Sequence, residues 1–297
     1  MMKQIRKDAH AKINLALDVT GRREDGYHLV RMIMQEIGLH DTLTFKARED
    51  GKGDLALKVE GADLSAGEDN LICRAARVMM KELGITDSLD IGLQKRIPIA
   101  AGLAGGSTDG AAVFLALRDL YAPNLTDERL CELALPLGAD IPYCIMGGTR
   151  ISEGIGEVLT KLPDLPAWPM ILVKPAAGVN TGQVYRALDA LEGYGHPDVD
   201  GMIRAIEEKD LIKTAELCSN VLELVTGPMV PKIREIEDFF LQEGALTARM
   251  SGSGPSVFAI YETRERAAGA LEAFWRSPVS EGCFGTLTTF FSREGKD

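Results

Sequence analysis

No run in this chain approaches the roughly 18 consecutive apolar residues that a membrane-spanning helix needs. Nor does an apolar stretch follow the basic residues Lys3, Arg6 and Lys7, because Lys12 and Asn14 interrupt it. That pattern predicts no signal peptide and no membrane contact, hence a cytoplasmic protein. Cysteine is sparse and scattered. Cys73, Cys131, Cys144, Cys218 and Cys283 are odd in number and contain no Cys-x-x-Cys pair, which argues against a disulfide framework or a zinc ribbon and for reduced thiols. Basic charge is in deficit: 33 Lys and Arg against 44 Asp and Glu leave a net charge of −11. Such a balance argues against a nucleic-acid partner. It leaves room for a small anion held by backbone amides, because a local amide-lined pocket overrides a distant field. No repeat and no low-complexity tract occurs.

What the chain does have is a mixture of strand and helix text in two halves, which reads as α+β. In Ala11–Val19 the residues Ile13, Leu15, Leu17 and Val19 share one strand face, with Lys12, Asn14, Ala16 and Asp18 on the other. Strand text resumes over Leu29–Ile37 and Thr42–Ala47. Asp69 and Asn70 cap a helix that Gly84 ends, and Thr126 caps another over about 127–137. Asp140 falls in a turn before Ile141–Pro142, where proline disfavours helix in the preceding residue. Three prolines within Leu162–Pro169 mark a domain connection. Beyond it, helices are predicted over Gly182–Leu191, Met202–Ile206, Ile212–Leu224, Pro231–Gln242 and Arg264–Arg276. Strands are predicted at Met170–Val173, Val257–Tyr261 and Phe284–Phe291.

The most informative stretch is PIAAGLAGGSTDGAA, residues 98–112. Small residues let main chain approach a ligand, and free N–H groups at a helix start point at negative charge. A tight strand-to-helix turn is the plainer reading of one glycine loop, but Gly102, Gly105, Gly106 and the Ser107–Thr108 entry exceed what one turn needs. No lysine precedes Ser107, so the loop is not a Walker A loop, and the protein-kinase signatures Asp-Phe-Gly and His-Arg-Asp are absent. Lys12 alone reads as a solvated lysine on an edge strand, and Asp140 alone as a polar turn residue. With the loop they form a coherent set for phosphoryl transfer: a phosphate cradle, a cation for developing charge, and a carboxylate for the attacking hydroxyl. His10, His40 and His196 show no partner pattern and read as structural.

The 98–112 stretch resembles the central motif of the GHMP small-molecule kinases, a group that includes galacto-, homoserine and mevalonate kinases. AKINLALDVTGRREDGYH and MSGSGPSVFAIY fit that family's first and third motifs in order and position. Within the family, GRREDGYH, GADIPYCIMGGTR and VNTGQVY resemble the branch whose alcohol substrate carries a cytidine diphosphate group. The resemblance implies an α+β, two-domain fold with the active site in the interdomain cleft. Residues 1–161 would hold ATP and the catalytic set, and residues 162–297 the substrate side. It implies ATP-dependent phosphorylation of a 2-hydroxyl in isoprenoid precursor synthesis, by a monomer or homodimer using Mg2+.

Position by position, the resemblance makes Asp140 the base and Lys12 the group that positions the hydroxyl and steadies charge, with Asn14 beside it. It makes Tyr27 and His28 the cytidine pair, Tyr185 the aromatic on the other side of the base, and Thr181 a nearby polar contact. Asn70 and Lys95 fall where the family contacts adenosine. Pro98, Ala101, Gly102, Leu103, Ala104, Gly105, Gly106, Ser107 and Thr108 would wrap the phosphates, with Ser107 also a magnesium contact. Ala100, Ala101 and Ala104 stand where many members have glycine, and alanine there calls for a loop that keeps φ negative.

Sibling kinases of mevalonate or homoserine type have no base to stack against Tyr27 and His28. A non-catalytic sensor on the same fold would be expected to lack Lys12 or Asp140, and both are present.

Overall fold

The computed structural model describes residues 3–293. The chain divides into two compact units, each assembled from separate segments: residues 1–11, 39–99 and 104–146 in one, and 12–38, 100–103 and 147–297 in the other. The division falls inside two long strands, β1 (Lys3–Arg22) and β2 (His28–Arg48).

In the first unit, β3 (Leu55–Glu60) runs parallel to β4 (Ser88–Gln94), and β4 runs antiparallel to β2 from Thr42 to Arg48. Four helices belong to it: α1 (Leu71–Leu83), α2 (Gly105–Tyr121), α3 (Asp127–Ala134) and α4 (Ile141–Met146). The boundaries of α1 are those the sequence predicts, because local chemistry sets them. The Asn70 side chain accepts from the Ile72 amide, and Gly84 closes the helix at φ 61°. Helix α2 packs on α1 and α4. Its Ala111, Ala112, Val113, Phe114, Ala116 and Leu117 are all buried, a helix apolar on nearly every side. Asp140 lies in the expected turn, and helix α4 corrects only the reading of Ile141, the residue before the proline. A helix does form directly after Asp140, with Pro142 in its first turn, where the missing N–H is no loss.

In the second unit, β5 (Thr149–Glu153) pairs antiparallel with β2 over Met32–Gln35, and β6 (Val158–Lys161) pairs with β5. A separate four-stranded antiparallel sheet has the order β11 (Phe284–Thr289), β7 (Pro169–Lys174), β10 (Val257–Ile260), β9 (Thr247–Met250). The 251–256 segment, within the MSGSGPSVFAIY stretch, is the turn of the β9–β10 hairpin.

Helices α5 (Thr181–Leu188), α6 (Val199–Glu207), α7 (Leu211–Leu217), α8 (Glu223–Met229), α9 (Lys232–Gln242) and α10 (Arg264–Arg276) complete it. Helices α9 and α10 cover the sheet, and Phe240 stacks on Phe274 at 5.1 Å between ring centroids. None of the five cysteines, all among the described residues, is in a disulfide, and burial pushes the Cys218 thiol up to about 12. No helix among the described residues is long and apolar enough to cross a membrane.

Two further expectations change. The alternation in Ala11–Val19 marks no wet face: every residue of that stretch is buried, so β1 is covered on both sides there. The single helix expected over Ile212–Leu224 breaks into α7, the short strand β8 (Ser219–Asn220) and α8. Tertiary pairing overrides the helical period, because Ser219 and Asn220 lie parallel to Ala16 and Leu17 of β1.

Asn220 also pins the hairpin turn. Its Nδ2 donates to the carbonyls of Met250 (2.9 Å) and Gly252 (2.8 Å), and its Oδ1 accepts from the Leu222 amide at 3.0 Å. Asn220→Ala should destabilise the protein by about 3 kcal/mol, since it strands buried carbonyls as well as deleting bonds. Urea denaturation measures this, and an unchanged midpoint would show that the turn holds itself.

Candidate functional site

The glycine loop leads out of β4 and into α2. Helix α2 begins at Gly105 after Ala104, and no side chain caps it. The N–H groups of Gly105, Gly106 and Ser107 therefore stand at a helix start without a capping acceptor, and a Cβ at Gly106 would meet nothing within 4 Å. This is a cradle that fits a polyphosphate. The Thr108 hydroxyl is used differently, donating to the His10 carbonyl at 2.7 Å. Ser107, half-buried one residue earlier, offers a hydroxyl that can serve a metal ion.

The loop's backbone departs from expectation. Ala100 and Ala104 both adopt left-handed conformations, at φ 51° and 56°, rather than the negative φ their side chains favour. Between them, Gly102 has φ 74°, and a Cβ there would collide with the Ser251 carbonyl. Ala101 and Leu103 are buried and Pro98 half-buried, so these three contribute main chain and anchorage.

Lys95 and Asn70 have internal partners. The Lys95 ammonium, buried in the first unit, lies 2.6 Å from Asp41 Oδ2 and 2.5 Å from Asp109 Oδ2. Asp41 Oδ1 accepts from the amides of Arg96 (2.5 Å) and Ile97 (2.8 Å). Three elements, β2, β4 and α2, thus meet at one buried cation. Asp109 Oδ1 is buried without a hydrogen-bond partner. Burial, reinforced by the Asp41 charge and opposed by Lys95, pushes the Asp109 carboxyl up to about 8. One ammonium between two carboxylates leaves one of them protonated at neutral pH. Asp109, with no amide donors of its own, keeps the proton. Asn70 donates from Nδ2 to the Ser65 carbonyl at 2.6 Å while its Oδ1 caps α1.

In the second unit, Lys12 is only 5% exposed, far from the solvated edge lysine its neighbours in sequence suggest. Its Nζ lies 2.7 Å from Asn14 Oδ1 and 3.2 Å from the Gly102 carbonyl, and its amide donates to the Leu103 carbonyl at 3.2 Å. Ser251 Oγ also donates to Gly102 O at 3.2 Å. Residues from all three glycine- and lysine-bearing motifs therefore converge on Gly102. Thr181, at the start of α5, shares a hydrogen bond with Ser253 of the hairpin turn at 2.8 Å.

Tyr27 is 59% exposed, on a turn that the Asp25 carboxylate closes by accepting its amide. His28 opens β2 and lies against Tyr185, with ring centroids 4.7 Å apart and planes inclined by 30°. Its Nε2 is 2.7 Å from Asp189 Oδ1. The sequence reading missed Asp189, although a signal was there: a carboxylate at the C-terminal end of a helix opposes the helix dipole. It also missed a partner for His196, whose Nδ1 lies 2.8 Å from Asp18 Oδ1.

Asp140 belongs to the first unit and Lys12 to the second. Asp140 is half-buried at the start of α4, its carbonyl accepting from the Cys144 amide at 3.1 Å.

The family model for the GHMP kinases N terminal domain matches residues 70–148, and that for the GHMP kinases C terminal matches residues 202–280. The chain is 46% identical over 283 residues to the 4-diphosphocytidyl-2-C-methyl-D-erythritol kinase of Lachnoclostridium phytofermentans, covering 95% of this chain and 96% of that one. It is 44% identical to the protein of the same name from Acetivibrio thermocellus, covering 97% and 100%. A crystal structure of a 4-(cytidine 5'-diphospho)-2C-methyl-D-erythritol kinase superposes with TM-score 0.80 at 31% identity, over 97% of this chain and all of the other. A homoserine kinase from Cytophaga hutchinsonii superposes at TM-score 0.78 with 18% identity, over 97% and 94% of the two chains, a likeness of fold alone.

Two measurements test the loop and its clamp. Folding raises the Asp109 pKa, so its contribution to stability is fully present below the ordinary carboxylate range and is lost as pH rises through about 8. Asp109→Asn removes that titration. Its thermal midpoint should gain steadily on the wild type between about pH 5 and pH 8, and a gap independent of pH would show that Asp109 carries no displaced proton. Ala104→Gly should stabilise the protein by up to about 1 kcal/mol, relief of left-handed strain outweighing glycine's entropy. Chemical denaturation reads this, and a loss would mean that the methyl group packs usefully.

Proposed function

Since the chain belongs to the 4-diphosphocytidyl-2-C-methyl-D-erythritol kinase family of GHMP kinases, we propose that it transfers the γ-phosphoryl group of ATP to the 2-hydroxyl of 4-diphosphocytidyl-2-C-methyl-D-erythritol. The products are ADP and the 2-phosphate, in the non-mevalonate route to isoprenoid precursors. The observation that carries this reading is the buried Lys12 ammonium, fixed by Asn14 and by the carbonyl of the glycine loop itself. A cation preorganised in a dry environment stabilises charge that develops during transfer, with no reorganisation at the moment of reaction.

In this reading Asp140 takes the proton of the 2-hydroxyl while Lys12 and Asn14 orient its oxygen. The amides of Gly105, Gly106 and Ser107 receive the phosphates. Mg2+, when bound with ATP and touched by the Ser107 hydroxyl, supplies charge neutralisation at the phosphates. Adenosine lies toward Asn70 and Lys95, whose remaining amide and ammonium hydrogens are the donors available. Tyr27 and Tyr185 provide aromatic faces for cytosine, each worth roughly 1–3 kcal/mol. His28 reads its polar edge, and Thr181 lies beside it. Residues 1–161 carry ATP, the catalytic set and the Tyr27–His28 pair, and residues 162–297 add Thr181 and Tyr185 on the substrate side. The enzyme acts in the cytoplasm as a monomer or homodimer.

ADP release should be seen with MgATP and the cytidyl substrate, and not with homoserine or mevalonate. Asp140→Ala should lower kcat by about 10^3-fold. Turnover with another alcohol alone would remove the cytidine assignment, and an Asp140→Ala enzyme of normal kcat would remove the base.

A further inference from the structure

The proposal concerns a residue that no motif brought forward, and it rests on the cytosine-recognition reading above. Asp189 closes α5 at its C-terminal end, where the helix dipole disfavours a carboxylate. Two contacts offset that cost. Asp189 Oδ1 lies 2.7 Å from His28 Nε2, and Oδ2 lies 3.2 Å from Arg22 NH1. Arg22 in turn donates from Nε to the Gly26 carbonyl at 3.3 Å, in the turn just before Tyr27 and His28. A residue placed against its local preference, and held there by partners at the far end of another segment, is a mark of function.

We propose that Asp189 is a positioning residue that sets the base specificity of the site, by holding the His28 ring in the tautomer with its proton on Nε2. An ionised carboxylate only accepts hydrogen bonds, so Nε2 must carry the hydrogen, and in the neutral ring Nδ1 is then an acceptor. Among the described residues no protein group hydrogen-bonds Nδ1, nor is that atom buried without a partner. The Tyr185 ring against His28 fixes its plane.

An outward acceptor suits cytosine, which offers a 4-amino donor on its reading edge. It opposes uracil, which places a 4-oxo acceptor at the same position. With the opposite tautomer Nδ1 would donate, and the preference would invert. Asp189 thus acts through His28 and need not touch the substrate.

The test combines a spectroscopic and a binding measurement on the full-length wild type, Asp189→Asn and Asp189→Ala. Nitrogen-15 shifts of the His28 ring above its titration report the tautomer directly. Dissociation constants for cytidine 5'-diphosphate and uridine 5'-diphosphate, used as simple probes, report specificity without requiring turnover.

The wild type should show the Nε2–H form and prefer the cytidine probe by about 10^2-fold, a site acceptor left facing another acceptor being a strong rejection. In both variants the tautomers should mix and the preference should fall below about tenfold. An amide at 189 can present either its oxygen or its NH2 group, so the near-isosteric Asp189→Asn variant separates charge from shape. An Nδ1–H ring in the wild type, equal affinity for the two probes, or an unchanged ratio in both variants would overturn the proposal. Failure of the kinase reading shows separately, as absence of ADP release from wild type with the cytidyl substrate while the probe ratio is still measured.

Discussion

The buried ammonium of Lys95 is the constraint on which the glycine loop's flanks depend. Taking a charge out of water costs several kcal/mol even after relaxation, so such a group is retained only with well-placed partners. Here the partners come from two other elements. Asp41 on β2 and Asp109 on α2 both lie within 2.6 Å of the Lys95 Nζ. Asp41 also receives the two amides that follow Lys95 in the chain. The exit of β4 and the second turn of α2 are thereby tied to one point, which restrains the loop between them at both flanks. A proton retained on Asp109 keeps the cluster near neutrality, which is why three ionisable groups can share a site with almost no water.

That clamp explains how the loop sustains backbone conformations that its own residues disfavour. Left-handed alanine costs roughly 1–2 kcal/mol, and the loop has two, at positions 100 and 104. Strain of this kind persists only where surroundings over-determine the geometry. Pinned flanks supply one part. The other is the second unit's own cluster around residues 100–103, where Gly102 O receives Lys12 Nζ and Ser251 Oγ. The carbonyl is used as an acceptor, so its peptide unit cannot rotate to relieve the alanines without losing both bonds.

Much of this was legible in the sequence where the cause is local. The cap at Asn70 and the stop at Gly84 follow from chemistry within a few residues, and the structure places them as read. Legibility failed where the cause lies far along the chain. Residues 212–224 have a helical period, yet pairing with β1 interrupts them at Asn220. The strands β3, β5 and β6 carry weak patterns, and ladder partners define them. Asp41, Asp109 and Asp189 were passed over as three acidic residues among 44 in a charged chain. Only Asp189 carried a local sign, its conflict with the helix end.

The two buried lysines show most clearly what folding adds. Lys12 and Lys95 each sit in a strand or at its end, and both were assigned roles by motif alone. Their surroundings differ in kind. Lys95 meets two carboxylates at salt-bridge distance, so its charge is spent on holding elements together. The side-chain oxygen of Asn14 and the carbonyl of Gly102 hold the Lys12 ammonium beside the glycine loop. Substituting either should be costly for different reasons. Loss of Lys95 strands two buried carboxylates, one of them with an oxygen already unpartnered. Loss of Lys12 releases Asn14 Oδ1 and the Gly102 carbonyl, contacts at the glycine loop itself. The distinction between the two lysines therefore lies in which distant elements supply their partners, which spacing in sequence does not encode.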